Sequence, residues 1–154
     1  MEAAVRTIRQ LQPAELPLIL DMAHKFFSEA NVGGEFNDET FILSWTGFMK
    51  SQNGVIFILT EHEQIVGAIG GLTYRDVNTG KGITIETFWY VDKEYRDKGV
   101  GIQLIHQLEQ WARSMFCTRL VMAALMNADF SKMEKFYTEK GYKILDVNFG
   151  KELI

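Results

Sequence analysis

The passage from Ile83 to Leu125 constrains the fold most: an apolar run, a polar turn with two glycines, a long amphipathic segment and a second apolar run follow one another. Ile83 to Val91 is apolar on both faces of an extended chain, which predicts a central strand. Leu104, Ile105, Leu108, Trp111, Ala112 and Met115 recur at helical spacing, and Leu120 to Leu125 reads as the next strand. Two strands joined through a helix of that length pair in parallel. The turn between strand and helix is Arg96, Asp97, Lys98, Gly99, Val100, Gly101. Unpaired amides gather there at the positive end of the helix, and such an end attracts phosphate. A side chain at Gly99 or Gly101 would keep the backbone from closing on an anion, and Arg96 and Lys98 add charge. Two glycines near a helix start are also ordinary turn chemistry, so alone they support an anion and nothing more specific.

The rest of the chain is ordered by its breakers. Val5 to Arg9 reads as a short strand, and Pro13 opens a helix whose Leu16, Ile19, Leu20, Ala23 and Phe27 share one face until Asn31 to Gly34 end it. Asp38 is placed to cap a second helix lined by Phe41, Trp45 and Phe48. Val55 to Thr60 and Ile65 to Thr73 form a predicted hairpin, and Asp76 to Gly82 is a loop of turn formers. Ser131 and Glu134 have capping-box spacing before a short helix that Gly141 stops. Tyr142 to Leu153 reads as one or two final strands. The expected fold class is α/β (α+β): a single domain spanning 1–154, with a mixed, mostly antiparallel sheet and helices on both faces, in the order β-α-α-β-β-β-α-β-α-β.

Bulk properties narrow the partners. A chain of 154 residues, 47% hydrophobic, with two prolines, builds one core. A formal charge of -4 disfavours nucleic acid or anionic lipid, both of which draw on clustered Lys and Arg. No apolar stretch spans a bilayer, and the opening Met1 to Arg6 lacks a basic region followed by an apolar run, so no membrane contact and a cytoplasmic location are expected. Cys117 is the only cysteine, which leaves no internal disulfide; late in an apolar helix, it is expected to be buried. His24, His62 and His106 share no ligand spacing, so no metal is expected. The dinucleotide fingerprint is excluded because Leu104 stands where its third glycine belongs, and Thr79 to Gly82 lacks the full nucleotide P-loop.

Val91-Asp92-Lys93-Glu94-Tyr95-Arg96-Asp97-Lys98-Gly99-Val100-Gly101 resembles motif A of the GNAT N-acetyltransferase superfamily. Lys135-Phe136-Tyr137-Thr138-Glu139-Lys140-Gly141-Tyr142, one helix and one strand downstream, resembles its motif B. The loop-rich front half and brief C-terminus are similar to those of phage-type members with no assigned substrate. The resemblance implies the acyl-CoA N-acyltransferase fold, acetyl-CoA as co-substrate and an amine acceptor, either a small molecule or a peptide. It implies a bulge in the strand before the glycine turn, and a splay from the next strand that admits the pantetheine arm. Tyr90 and Val91 would then offer backbone bonds to the arm, the amides from Arg96 through Asp97, Lys98, Gly99 and Val100 to Gly101 would hold the pyrophosphate, and Phe136 would line the cofactor. The chain departs from the pattern at Phe130, where many members carry an asparagine, with Asn127 three residues too early. The compressed C-terminus leaves one wall of the acceptor site open or shared with a second subunit, and a homodimer is one arrangement this allows.

Acetyl transfer to an amine needs a proton acceptor, a stabilised oxyanion and a proton for the departing thiolate. Glu86 is the only acid on its apolar strand, where burial raises a carboxyl pKa; by alternation it shares a face with Phe88 and Tyr90. Tyr137 is the expected acid, since a phenol of pKa ~10 stays protonated at neutral pH. By the same resemblance His24, Glu29 and Glu35 border the acceptor pocket. Two other readings stay open: a non-catalytic CoA-binding or regulatory domain of the same fold, and an interaction module whose Gly99-Val100-Gly101 turn is only structural.

Overall fold

The computed structural model describes residues 5–127 and 129–154. The chain forms two compact units, one running to Ala123 and one from Ala124 to Ile154.

The larger unit is built on a five-stranded sheet: β1 (Arg6–Gln10), β2 (Gly54–Glu61), β3 (Gln64–Arg75), β4 (Gly82–Val91) and β5 (Cys117–Val121), in that spatial order. The first four strands pair antiparallel and β5 joins β4 in parallel. The unit's helices are α1 (Leu20–Ala30), α2 (Asp38–Lys50) and α3 (Val100–Ser114). β2 is buried at every residue from Gly54 to Leu59, as a central strand of apolar, β-branched and aromatic residues should be. Its turn to β3 places His62 and Glu63 both at positive φ, 52° and 63°, the backbone that matches strand twist in a two-residue hairpin. On one face α1 and α2 cover Ile56, Ile58, Ala68, Phe88 and Tyr90 with Met22, Trp45 and neighbouring rings. On the other, α3 brings Leu104 and Leu108 against Gly67 and Gly71. Helices on both faces of a mixed, mostly antiparallel sheet are therefore observed.

Several local expectations are corrected. The helix expected from Pro13 is a 3-10 turn over Pro13–Ile19, and α1 starts only at Leu20, because Pro17 removes an amide that an α-helix would use. The cap of α2 is Asn37, whose side chain accepts from the Thr40 amide; Asp38 is the first helical residue. β5 begins at Cys117, three residues ahead of the expected Leu120, because Phe116 adopts φ 59° and turns the chain directly out of α3. Cys117 is thus in a strand and only partly buried, 3.0 Å from the Thr73 hydroxyl.

The smaller unit holds α4 (Phe130–Glu139), which starts one residue ahead of the expected Ser131 cap with Asp129 at the cap position and no side-chain cap bond. Gly141, at φ 88°, closes it. The expected strands after Tyr142 are not formed: no residue from 142 to 154 belongs to a strand. The observed order ends on a helix.

Candidate functional site

The geometry of the site follows from one irregularity in β4. Gly70 faces Phe88 and Gly71 faces Glu86, so Thr87 is an extra residue, a β-bulge. Directly paired residues share a face, and Gly70 and Gly71 point to opposite faces. Glu86 therefore lies on the α3 face with Thr84, opposite Phe88 and Tyr90, which corrects the alternation expected from sequence. Gly70 makes the bulge possible: a Cβ there would come within 2.5 Å of the Phe88 ring and 2.8 Å of the Thr87 hydroxyl.

The same stretch loses its neighbour. The parallel ladder joins Gly82 through Ile85 to Cys117 through Val121 and stops. Glu86 to Val91 have no β5 partner among the described residues. Immediately past the ladder, the Ala123 backbone amide hydrogen-bonds the Glu86 carboxylate. Glu86 retains some surface, yet desolvation of its carboxyl pushes the pKa from 4.5 up to about 7, partly opposed by that bond.

β4 leads through a 3-10 turn, Lys93–Tyr95, into Arg96 to Gly101. Asp97 and Gly99 take left-handed φ values of 62° and 81°, which turns the backbone sharply into α3. Gly99 thus has a conformational reason to be glycine. Gly101 has a packing reason: a Cβ there would meet the Trp89 ring at 2.8 Å, so its absence lets α3 lie close on β4. Sequence reasoning assigned Gly101 to anion approach alone and missed Trp89.

The turn is tied down by neighbours. Arg96 Nε donates to the Val91 carbonyl at 2.8 Å, its Nη2 donates to the Glu29 carboxylate at 3.0 Å, and its guanidinium lies 5.2 Å from the centre of the Tyr90 ring. Arg6, which sequence reasoning did not single out, donates from Nη1 to the Lys98 carbonyl at 2.8 Å. Nothing local in the sequence marks it, because the contact joins residues 92 positions apart. The Lys98 ammonium lies 5.7 Å from the Tyr95 ring centre. Tyr90 donates its phenol proton to Glu29 at 3.4 Å, and burial together with that carboxylate raises its pKa.

The three residues expected at the acceptor pocket have different partners. Glu29 joins Tyr90 and Arg96, whereas His24 Nε2 is 2.6 Å from Asp38 Oδ1 with its ring against Phe36. Glu35 is exposed in the loop before α2. A polar groove of about 240 Å³ between β1 and α3 is lined by Arg6, Ile8, Gln103, His106, Gln107 and Gln110, none of them a predicted site residue. Among the described residues no cluster of His, Cys, Asp or Glu could hold a metal ion, and no helix is long and apolar enough to cross a membrane.

In the smaller unit, Tyr137 is buried on α4, its ring 5.6 Å from Phe136 and 5.5 Å from Tyr142. The Asn127 side chain accepts from the Asp129 amide at 2.9 Å and shapes the approach to α4.

A bulged strand that loses its parallel neighbour and runs into a glycine turn at a helix start is the arrangement that the motif resemblance implied. The chain matches the Acetyltransferase (GNAT) family over residues 16–142, and it belongs to that family. Solved structures agree on the fold. A predicted acetyltransferase from Clostridium acetobutylicum, with acetyl-CoA, is 13% identical at TM-score 0.81, covering 97% of each chain. The aminoglycoside N-acetyltransferase AAC(6')-Iy in complex with CoA is 15% identical at TM-score 0.79, covering 99% of this chain and 98% of its own. Glucosamine-6-phosphate N-acetyltransferase from Arabidopsis thaliana is 16% identical at TM-score 0.75, covering 97% of this chain and 99% of its own. No curated protein matches in sequence.

Proposed function

We propose that the protein moves an acetyl group from acetyl-CoA to a primary amine by direct transfer. The observation that carries this reading is the open half of β4, where a carboxyl with a pKa of about 7 precedes the glycine turn on the same strand. The backbone of Arg96, Asp97, Lys98, Gly99, Val100 and Gly101 holds the pyrophosphate at the start of α3, with Lys98 adding charge. Arg96 acts chiefly as a brace, since its guanidinium already serves Val91 and Glu29. Tyr90 and Val91 present their backbone to the pantetheine arm, and Phe136 lines the cofactor.

The amine nitrogen attacks the thioester carbonyl, the tetrahedral intermediate collapses, and the carbon–sulfur bond breaks. Glu86, directly or through a water, takes the proton the amine loses; a pKa near neutrality suits that exchange. Tyr137 gives a proton to the departing thiolate. Holding donor and acceptor together supplies much of the acceleration. Glu29, His24 and Glu35 belong to the acceptor side, where acidic groups favour a cationic amine. A compartment without membrane contact, the cytoplasm, suits a soluble cofactor of this kind.

Acetyl-CoA should raise the melting temperature by ligand linkage, and CoA release should follow when an amine panel is supplied. The panel spans protein N-termini, lysine, polyamines, amino acids and aminoglycosides, with products read by mass spectrometry. Absence of any shift at saturating acetyl-CoA would remove the proposal. Binding without turnover over the whole panel would replace it with a non-catalytic CoA-binding domain.

A further inference from the structure

β1 lies at the edge of the sheet farthest from β5, yet one of its side chains reaches the glycine turn. Arg6 Nη1 donates to the Lys98 carbonyl at 2.8 Å, and its Nε donates at 3.3 Å to Glu61, the residue facing it on β2. The guanidinium is held from behind while it grips the turn. The gripped carbonyl belongs to the peptide that joins Lys98 to Gly99. That peptide is trans, so its carbonyl and the Gly99 amide point in opposite directions. Fixing the one aims the other. The Gly99 amide makes no hydrogen bond among the described residues, and Gly99 is exposed at the cap of α3.

Glycine makes such a grip necessary. Gly99 sits at φ 81°, but glycine takes negative φ about as readily, and a Cβ there would meet nothing nearer than Arg6 Nη1 at 3.9 Å. Neither a φ preference nor crowding therefore stops the 98–99 peptide from rotating by half a turn. A rotated peptide would present its carbonyl oxygen in place of the amide, and an anion there would be repelled.

We propose that Arg6 is a positioning residue for the cofactor turn: by holding the Lys98 carbonyl, it keeps the Gly99 amide directed at the pyrophosphate. This rests on the acetyl-transfer reading, in which the turn binds that group. Arg6 acts through one peptide plane and not on the reacting atoms, so its effect is confined to donors that carry a pyrophosphate.

Calorimetry on the full chain can compare acetyl-CoA with S-acetylpantetheine, which has the same thioester but no pyrophosphate. Arg6→Met keeps an unbranched side chain and removes every donor. It should weaken acetyl-CoA binding about tenfold or more, the usual worth of a hydrogen bond to a charged group, and leave S-acetylpantetheine binding unchanged. Arg6→Lys returns one donor and should recover most of the loss. In turnover with an accepted amine, the loss should fall on KM for acetyl-CoA and spare kcat. Undiminished acetyl-CoA affinity in Arg6→Met would overturn the inference, as would equal losses with both donors, which would make Arg6 a support of the fold. Wild-type protein that binds no acetyl-CoA would remove the acetyl-transfer reading, and this inference with it.

Discussion

From Gly82 to Ile85, β4 is paired on both sides, with β3 and with β5; from Glu86 to Val91 it keeps β3 except at the bulged Thr87 and, among the described residues, has no β5 partner. The paired half buries Thr84 completely, and its hydroxyl finds no hydrogen-bond partner among the described residues. The open half carries a bulge, a carboxyl raised to about 7 and a carbonyl at Val91 that accepts from Arg96. Backbone groups that give up a ladder must be met by something else, and at Val91 a side chain from the following turn meets one of them. The difference teaches where chemistry fits in such a sheet: the regular half supports the strand, and the irregular half leaves polar groups that a ligand can use.

The strongest test of this contrast is Glu86→Gln, which keeps size and removes the titrating proton acceptor. Turnover should fall about 10²- to 10⁴-fold, the usual contribution of a general base. Wild-type kcat/KM should rise with pH to a plateau, with a midpoint near 7, and the variant should lose that rise. Stability should move the other way. Because the folded pKa lies above the unfolded value of 4.5, the folded state holds the proton more tightly, so stability is lost as pH rises through about 7. The shift corresponds to about 3 kcal/mol, and at pH 8 Glu86→Gln should melt higher than the wild type. A variant that is less stable at pH 8 would show that the carboxyl is not desolvated.

Tyr137→Phe should lower kcat by about 10²-fold or more while acetyl-CoA affinity, measured by calorimetry, is retained. Unchanged turnover would leave Tyr137 a packing residue among Phe136 and Tyr142.

Gly101→Val should destabilise the fold by about 1–3 kcal/mol through overpacking against Trp89, read from denaturant unfolding, and should weaken acetyl-CoA binding. Full stability with lost binding would confine Gly101 to anion approach.

The smallest effect belongs to the paired half: Thr84→Val should stabilise by about 1 kcal/mol, by removing an unmet buried hydroxyl, and leave turnover unchanged. A loss of turnover there would erase the distinction between the halves.

What sequence reveals follows the same division. The strand, glycine turn and α3 were legible because Gly99 and the helical spacing of Leu104, Ile105 and Leu108 are local requirements. The bulge was expected only through family resemblance, since alternation assumes an unbroken period and cannot register the extra Thr87. The face of Glu86 was therefore misassigned while its raised pKa was anticipated. Arg6 and Trp89 act through contacts distant in sequence, and no local pattern points to them. The early start of β5 rests on a left-handed Phe116, a conformation its residue type does not announce. The one or two final strands expected over Tyr142 to Leu153 are not formed, because an apolar stretch becomes a strand only where a sheet edge receives it.

Hydrogen exchange with and without saturating acetyl-CoA shows whether the open half of β4 and the glycine turn receive the cofactor. Slowed exchange is expected at backbone amides from Glu86 to Gly101, concentrated at Asp97 through Gly101, with Gly82 to Ile85 unchanged. Unaltered exchange from Glu86 to Gly101 in the presence of bound acetyl-CoA would contradict it.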